Sequence, residues 1–344
     1  MKNTFLNKKN LTWLILGVSF FFLIQLLIQV GIITPYYRVT MYWICLFAIL
    51  GVSLNVIIGV TGQFSLGHAG FMSIGAYSAA VVLRSMPNLT GLFLGMAIGA
   101  LISLFVSMVV AIPTLRLKGD YLAIATLGVG EIIRIVILNM KITNGASGIS
   151  NIPYLISWPL MFFFVFISIM FSANFKNSAI GRACISIKED EIASEAMGIN
   201  TTKYKVMAFM FGALIASLAG GLYATTYYVI KPETFGINNS INILVIVVFG
   251  GMGSLTGSAV AAIVLGIINN VFQPLAEWRM IIYALALIVI MIFRPQGLLG
   301  TSEASLKAIF SLDTYKNALK GLIDLVTLRK FRVAVASIGK GKQR

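Results

Sequence analysis

The chain has 344 residues, 58% of them hydrophobic and only 11% charged, and its mean hydropathy is +0.93. An average soluble domain carries about twice that charged fraction; a water-exposed fold of this size lacks the polar residues to cover such a surface, so the implied solvent is lipid. The net charge of +15, from 26 Lys+Arg against 11 Asp+Glu, sits mainly in loops and tails, which is the asymmetry of membrane topology rather than a nucleic-acid footprint.

In lipid every backbone amide must be satisfied internally, which leaves helices or a closed barrel. A barrel needs alternating segments of about ten residues. The long unbroken apolar runs here predict an all-α, polytopic membrane helix bundle with about ten spans, some short enough to be broken helices. In chain order they are Leu11–Ile33, Thr40–Val60, Gly62–Leu83, Gly91–Ile112, Tyr121–Met140, Tyr154–Phe171, Val206–Ile230, Ile237–Gly250, Ser258–Phe272 and Met280–Phe293. The first follows Lys8 and Lys9 and is too long for a signal peptide, with no A-x-A site after it, so it reads as an uncleaved anchor.

Basic residues mark the N-terminus (Lys2, Lys8, Lys9), the Pro113–Asp120 turn (Arg116, Lys118), the polar loop at about Ser172–Lys205, and the tail from Thr301 to Arg344, whose nine basic and three acidic residues net +6. Placing all four in the cytoplasm requires an even number of spans, and both termini are then cytoplasmic. The opposite loops, such as Thr34–Val39 and Lys231–Gly236, are short and nearly uncharged, with no room for a folded domain. Residues 1–300 are expected to form the membrane domain and 301–344 a basic cytoplasmic tail.

Within Gly62–Leu83, the residues Gly62, Ser65, Ala69, Ser73, Ala76 and Ala80 recur at three- and four-residue steps, a face of small side chains that suits close helix packing or pore lining. His68 is the only histidine, so it cannot build a metal site and reads first as a hydrogen-bonded structural residue. A second stripe, Ala208, Gly212, Ala216, Gly220 and Ala224, reads as packing. Glu131 and Arg134 share a helix face and should neutralise each other, the alternative being a polar lining for a zwitterion. Gly250–Gly257 interrupts two apolar runs without the lysine of a phosphate-binding loop, so nucleotide binding is rejected. Such a break either lines a cavity or makes a tight turn between short helices. Cys45 and Cys184 form no disulfide framework or metal spacing, and no bound cofactor is expected. In the Ser172–Lys205 loop, Lys188–Met197 is helix-forming and Gly198 supplies a stop; a short helix there suits docking in a partner's groove, the alternative being an ordinary solvated loop.

The phrases GVTGQFSLGHAGFMSIGAYSAA and RLKGDYLAIATLGVGEIIRIV, followed in order by TNGASGI, SAIGRACISIKEDEIASEAMGIN, VVFGGMGSLTGS and FRPQGLLG, resemble the permeases of branched-chain amino-acid ABC importers, LivM-type rather than LivH-type. The resemblance covers roughly Val39 to Gly300. It implies a subunit without enzymatic activity in a bacterial cytoplasmic membrane. A second, LivH-type permease, two cytoplasmic ATPase subunits and an extracytoplasmic solute-binding protein would complete the system. The internal loop would be the element that couples to an ATPase, through Gly181, Arg182, Asp190, Glu191, Glu195, Ala196 and Gly198. It departs from the importers' E-A-A-x3-G pattern, because Ile192 follows Glu191 and Gly198 comes one residue late. The tail's Leu306, Ile309, Phe310, Leu319, Leu322, Ile323 and Val326, interspersed with lysines, suit a helix lying on an anionic leaflet or a loosely ordered tail.

The expected function is ATP-driven import of leucine, isoleucine and valine by alternating access. The path would be lined by Gly62, Gln63, Ser65, His68 and Ser73, by Glu131, and by Gly251 and Gly253 of the break. The rival readings are a secondary transporter or channel for a small polar solute, an ABC permease for urea or other amino acids, and a membrane enzyme. Glu131 is the only clear carboxylate in mid-span, which counts against ion coupling, and there is no acid cluster for an enzyme.

Overall fold

The computed structural model describes residues 8–115, 117, 119–271, 288, 297–298, 300 and 303, with the side chains described from residue 17 onward. The calls on Lys2, Lys8, Lys9, Arg116 and Lys118, on the Met280–Phe293 span, and on the tail helix from Leu306 to Val326 lie outside the described residues or side chains.

The described elements are α1 (Lys8–Gln29), α2 (Pro35–Asn55), α3 (His68–Ser85), α4 (Leu89–Thr114), α5 (Asp120–Asn139), α6 (Trp158–Asn177), α7 (Ala179–Glu189), α8 (Glu191–Ala196), α9 (Thr201–Thr226), α10 (Ile237–Gly250) and α11 (Leu255–Val271). α2 runs directly into a π-helical segment, Val56–Val60. The chain is a multi-pass helical membrane bundle. Among the described residues, five helices are each long and apolar enough to cross a membrane, and the bent α10–α11 pair makes six if it counts as one span.

Several element ends differ from the sequence reading. α2 begins at Pro35 rather than Thr40, because a proline in the first turn gives up no helical hydrogen bond. α6 begins at Trp158 rather than Tyr154, set by Pro159, and extends to Asn177, so the polar loop starts at Ser178. α9 begins at Thr201, where Asn200 Oδ1 accepts from the Lys203 amide at 3.0 Å. One small strand pair, β1 (Ile149–Ser150) with β2 (Val229–Ile230), was not foreseen; it is antiparallel, with Ile149 opposite Ile230.

The largest correction concerns Gly62–Leu83. It is not one helix: residues 62–67 are non-helical and α3 starts at His68, so Gly62 and Ser65 do not belong to the small-residue face. Gly62 has φ +73°, a left-handed turn that ends the preceding helix. The exposed chain of backbone groups is tolerated because protein surrounds it: Gln63, Ser65 and Gly67 are buried, and the Leu66 amide donates to Thr126 Oγ1 of α5 at 3.0 Å.

The centre of the bundle is α3, α4 and α9, held by small residues. The stripe Ala208, Gly212, Ala216, Gly220 and Ala224 is buried along α9. α4 buries a stripe at perfect four-residue spacing, Gly91, Gly95, Gly99, Ser103, Ser107 and Ala111, which the sequence reading passed over. The backbones touch: a Cβ on Gly220 would overlap the Met72 carbonyl of α3. Ser103 Oγ donates to the Ala213 carbonyl at 2.9 Å, a hydrogen bond between α4 and α9. The opposite face of α4 shows large apolar side chains such as Leu101 (67% exposed) and Phe105 (69%), an outward surface suited to lipid rather than water.

Gly220→Val should therefore lower the unfolding midpoint in detergent, by an overpacking cost of about 1–3 kcal/mol. Gly128→Ala, whose Cβ would meet nothing within 4 Å, is the control and should leave stability unchanged or raised.

Candidate functional site

Three groups of residues converge around the end of α2: the 62–67 segment, the α10–α11 turn, and the α7–α8 helices.

The first group is polar and buried. His68 is 1% exposed, and its Nε2 lies 2.6 Å from Ser53 Oγ of α2. The Ser53 hydroxyl hydrogen is committed to the Leu50 carbonyl at 2.8 Å. Nε2 is therefore the protonated ring nitrogen, which leaves Nδ1 as an acceptor. That Nδ1, Ser65 Oγ and both side-chain polar atoms of Gln63 are buried without a hydrogen-bond partner among the described residues. A buried amide or hydroxyl costs roughly 2–7 kcal/mol when left unpaired. Four such atoms lie within six residues, Gln63 to His68. Ser73, by contrast, is turned inward, its Oγ donating to the Gly70 carbonyl at 2.5 Å. Gly62 is exposed and lies against the stem of Lys188 in α7, not against the buried cluster.

Glu131 accepts from Arg134 Nε at 2.7 Å, and the two side chains are only about a fifth to a quarter exposed (22% and 24%). The pair closes on itself, as the three-residue spacing foretold.

The break at Gly250–Ser254 is a tight turn that bends α11 by 117° from α10. Its backbone groups are not free. The Asn55 carboxamide of α2 accepts from the Gly253 amide at 2.8 Å through Oδ1. Its Nδ2 reaches the Ser254 carbonyl and Ser258 Oγ, both at 2.7 Å, and the Gly251 carbonyl at 3.2 Å. Gly251 and Gly253 have φ of +114° and +109°, which only glycine adopts without strain. Gly297 and Gly300 pack against the Gly251 backbone, and the Leu298 amide donates to the Phe249 carbonyl at 2.8 Å.

Lys176, at the end of α6, donates to the Gly253 carbonyl at 2.5 Å and to Glu303 at 2.6 Å. The Glu303 carboxylate also accepts from the amides of Leu255 and Thr256, both at 3.1 Å, at the start of α11. A carboxylate is favoured at a helix N-terminus. Burial pushes this carboxyl up, but the Lys176 ammonium and the two amides outweigh it and hold it below the ordinary 4.5.

The internal loop folds as two helices, not one helix over Lys188–Met197. Asp190 ends α7 and caps α8, its Oδ1 accepting from the Ala193 amide at 2.9 Å. Gly198, at φ +83°, closes α8: its amide reaches the Glu195 carbonyl and the Ile199 amide reaches that of Ser194. Gly181 presses against the Phe175 and Lys176 carbonyls where α7 leaves α6. Arg182 donates to the Asn177 carbonyl at 2.8 Å. Glu191 pairs with Lys205 at 2.6 Å and Glu195 accepts from Thr201 Oγ1 at 2.6 Å, both tying α8 to α9. Cys184 is on the buried face of α7, and burial pushes its thiol up to about 11. α8 and its C-cap turn outward Ile192 (77% exposed), Ala193, Glu195, Ala196 and Met197 (83%).

The sequence reading missed Asn55, Lys176, Lys188, Glu303 and the outward role of Ile192 and Met197. An amide inside the Thr40–Val60 run was a visible signal for Asn55, since polar groups in spans are functional candidates. Nothing local marked the partners of the two lysines.

Residues 36–293 match the family described as branched-chain amino acid transport system / permease component. The high-affinity branched-chain amino acid transport system permease proteins LivM of Salmonella typhimurium and Escherichia coli are each 35% identical over 297 residues, 76% of this chain and 69% of theirs. The permease protein BraD of Pseudomonas aeruginosa is 26% identical over 289 residues, 75% of this chain and 92% of its own. No solved structure matches.

Two outcomes follow. In a double-mutant cycle on thermal stability, Glu131→Gln with Arg134→Gln should be milder than the sum of the singles, with a coupling of about 0.5–3 kcal/mol. Because the Glu303 carboxyl lies below 4.5 when folded, its clasp stabilises above that value and is lost as pH falls through the lower one. Thermal unfolding should thus show Glu303→Gln less stable than the parent at pH 7, the gap narrowing as the pH falls below the ordinary carboxylate range.

Proposed function

Since the chain belongs to the family of branched-chain amino acid transport system permease components, we propose that it imports leucine, isoleucine and valine by alternating access, driven by ATPase subunits on separate chains. The chain is a permease of a branched-chain amino-acid ABC importer. A second permease of the LivH type completes the pathway, and a solute-binding protein delivers substrate from outside. The bundle has about ten spans in a bacterial cytoplasmic membrane, both termini and α7–α8 facing the cytoplasm.

The single observation that carries this reading is α8. A six-residue helix held by Asp190, Gly198, Lys205 and Thr201 presents Ile192 and Met197 to the outside. Two large apolar side chains on a polar, rigidly mounted knob fit insertion into a groove of an ATPase. Glu191 and Glu195 tie the knob to α9, Glu195 remaining exposed beside the apolar pair. The unpartnered Gln63, Ser65 and His68 Nδ1 supply polar contacts of both kinds for a zwitterion while leaving no fixed charge to trap it.

In proteoliposomes holding all subunits, labelled leucine uptake should require ATP, and urea should not compete. Uptake by this chain alone without ATP would refute the proposal. Burying such a side chain is worth about 1.5–3 kcal/mol, so Ile192→Asp with Met197→Asp should weaken ATPase association by roughly tenfold or more. Undiminished co-purification would remove the docking role.

A further inference from the structure

Lys188 stands at the last turn of α7, and its ammonium crosses to α2, donating to the Gly59 carbonyl at 2.9 Å. Gly59 lies in the π-helical segment near the end of that helix. The next amides turn elsewhere: Gly62 N reaches the Ile58 carbonyl and Gln63 N the Ile57 carbonyl. A cation is the natural partner for a terminal carbonyl, by hydrogen bond and by the helix dipole. The Lys188 stem also packs on Gly62, whose Cβ would stand 3.1 Å from Lys188 Cγ.

On its other side Gly59 has no side chain. A Cβ there would overlap Asn55 Oδ1 and the Gly253 amide nitrogen, and would lie 2.7 Å from Gly253 Cα. The residue whose carbonyl Lys188 holds is thus pressed directly on the α10–α11 turn. Asn55 then binds that turn through Gly253, Ser254 and Ser258. A π-helical turn carries one residue more than α geometry requires, and such turns gather at functional sites because the extra residue can shift.

We propose that Lys188 and Asn55 are positioning residues that carry displacement of α7–α8 into the α10–α11 turn, with the Val56–Val60 segment as the element that moves. This rests on the reading of α8 as the ATPase contact. When α7 shifts, the Gly59 carbonyl follows the ammonium or loses it. Gly59 cannot move toward or away from Gly253 without disturbing the bonds Asn55 makes. Lys188 and Asn55 connect a peripheral helix to the interior with no soft side chain between them, because position 59 is glycine.

The test uses the complete reconstituted importer with labelled leucine and ATP. Lys188→Met should lower uptake about tenfold while complex recovery and basal ATP hydrolysis stay within about twofold. Lys188→Arg, which keeps the cation and its donors, should restore uptake. In series, Lys188→Met with Asn55→Ser should be no worse than the worse single variant. The Lys188 variants decide the matter alone if Asn55→Ser does not assemble. Normal uptake by Lys188→Met, a parallel fall of uptake and hydrolysis, failure of Lys188→Arg to rescue, or multiplying losses in the double variant would each overturn the proposal. The two readings fail separately. Intact ATPase association in Ile192→Asp sinks the docking role, whereas lost association there with normal uptake in Lys188→Met sinks only the relay.

Discussion

Asn55 is buried in an apolar helix and commits both ends of its carboxamide to one turn. An amide in that position is costly unless paired, by roughly 2–7 kcal/mol. Pairing it with the Gly251–Ser258 backbone and hydroxyls removes that cost and fixes where α10 must stop and α11 must start. Lys176 and Glu303 grip the same turn from the far side, and Gly59 fills the space between. The ends of α2, α6, α10 and α11 therefore share one fixed point, and every shape the bundle takes has to be compatible with it.

Small residues line the contacts among α3, α4 and α9, while the outward face of α4 is apolar and large. Glycine, alanine and serine let α3, α4 and α9 approach until backbones touch, because neighbouring helices in lipid gain from contact rather than from water release. The late start of α3 adds a different property. By starting at His68 instead of Gly62, it leaves a stretch of non-helical chain inside the bundle, lined with donors and acceptors that no helix consumes. The same small residues that permit close packing elsewhere here permit close passage of the chain past α5.

Much of the fold was legible because membrane spans announce themselves by length and hydropathy. The stripe on α9 read correctly as packing, and the Glu131–Arg134 spacing read correctly as a pair. The break in Gly62–Leu83 was hidden because its glycines and serines also continue a helical small-residue period. Period alone cannot tell a helix face from a turn rich in the same residues. The α4 stripe was visible but lay inside a run of large apolar residues that drew attention to span length. For the candidate site, the turn at Gly250–Gly253 was evident, and whether it lined a cavity was not. Its satisfaction depends on Asn55, almost two hundred residues earlier, through bonds with sequence separations of 196 to 203. Lys188 and Glu303 were likewise anonymous charges until partners far along the chain gave them direction.

Gly297, Leu298 and Gly300 close over Gly251 from a part of the chain nearly fifty residues further on. On a ribosome that distance is time. Asn55 and Lys176 belong to helices that precede α10 and α11 in the chain, so both can hold the turn before the residues that cap it arrive. The order of synthesis thus becomes an order of assembly: first the inner grip, then the outer one, with Glu303 the final piece of this turn to be delivered.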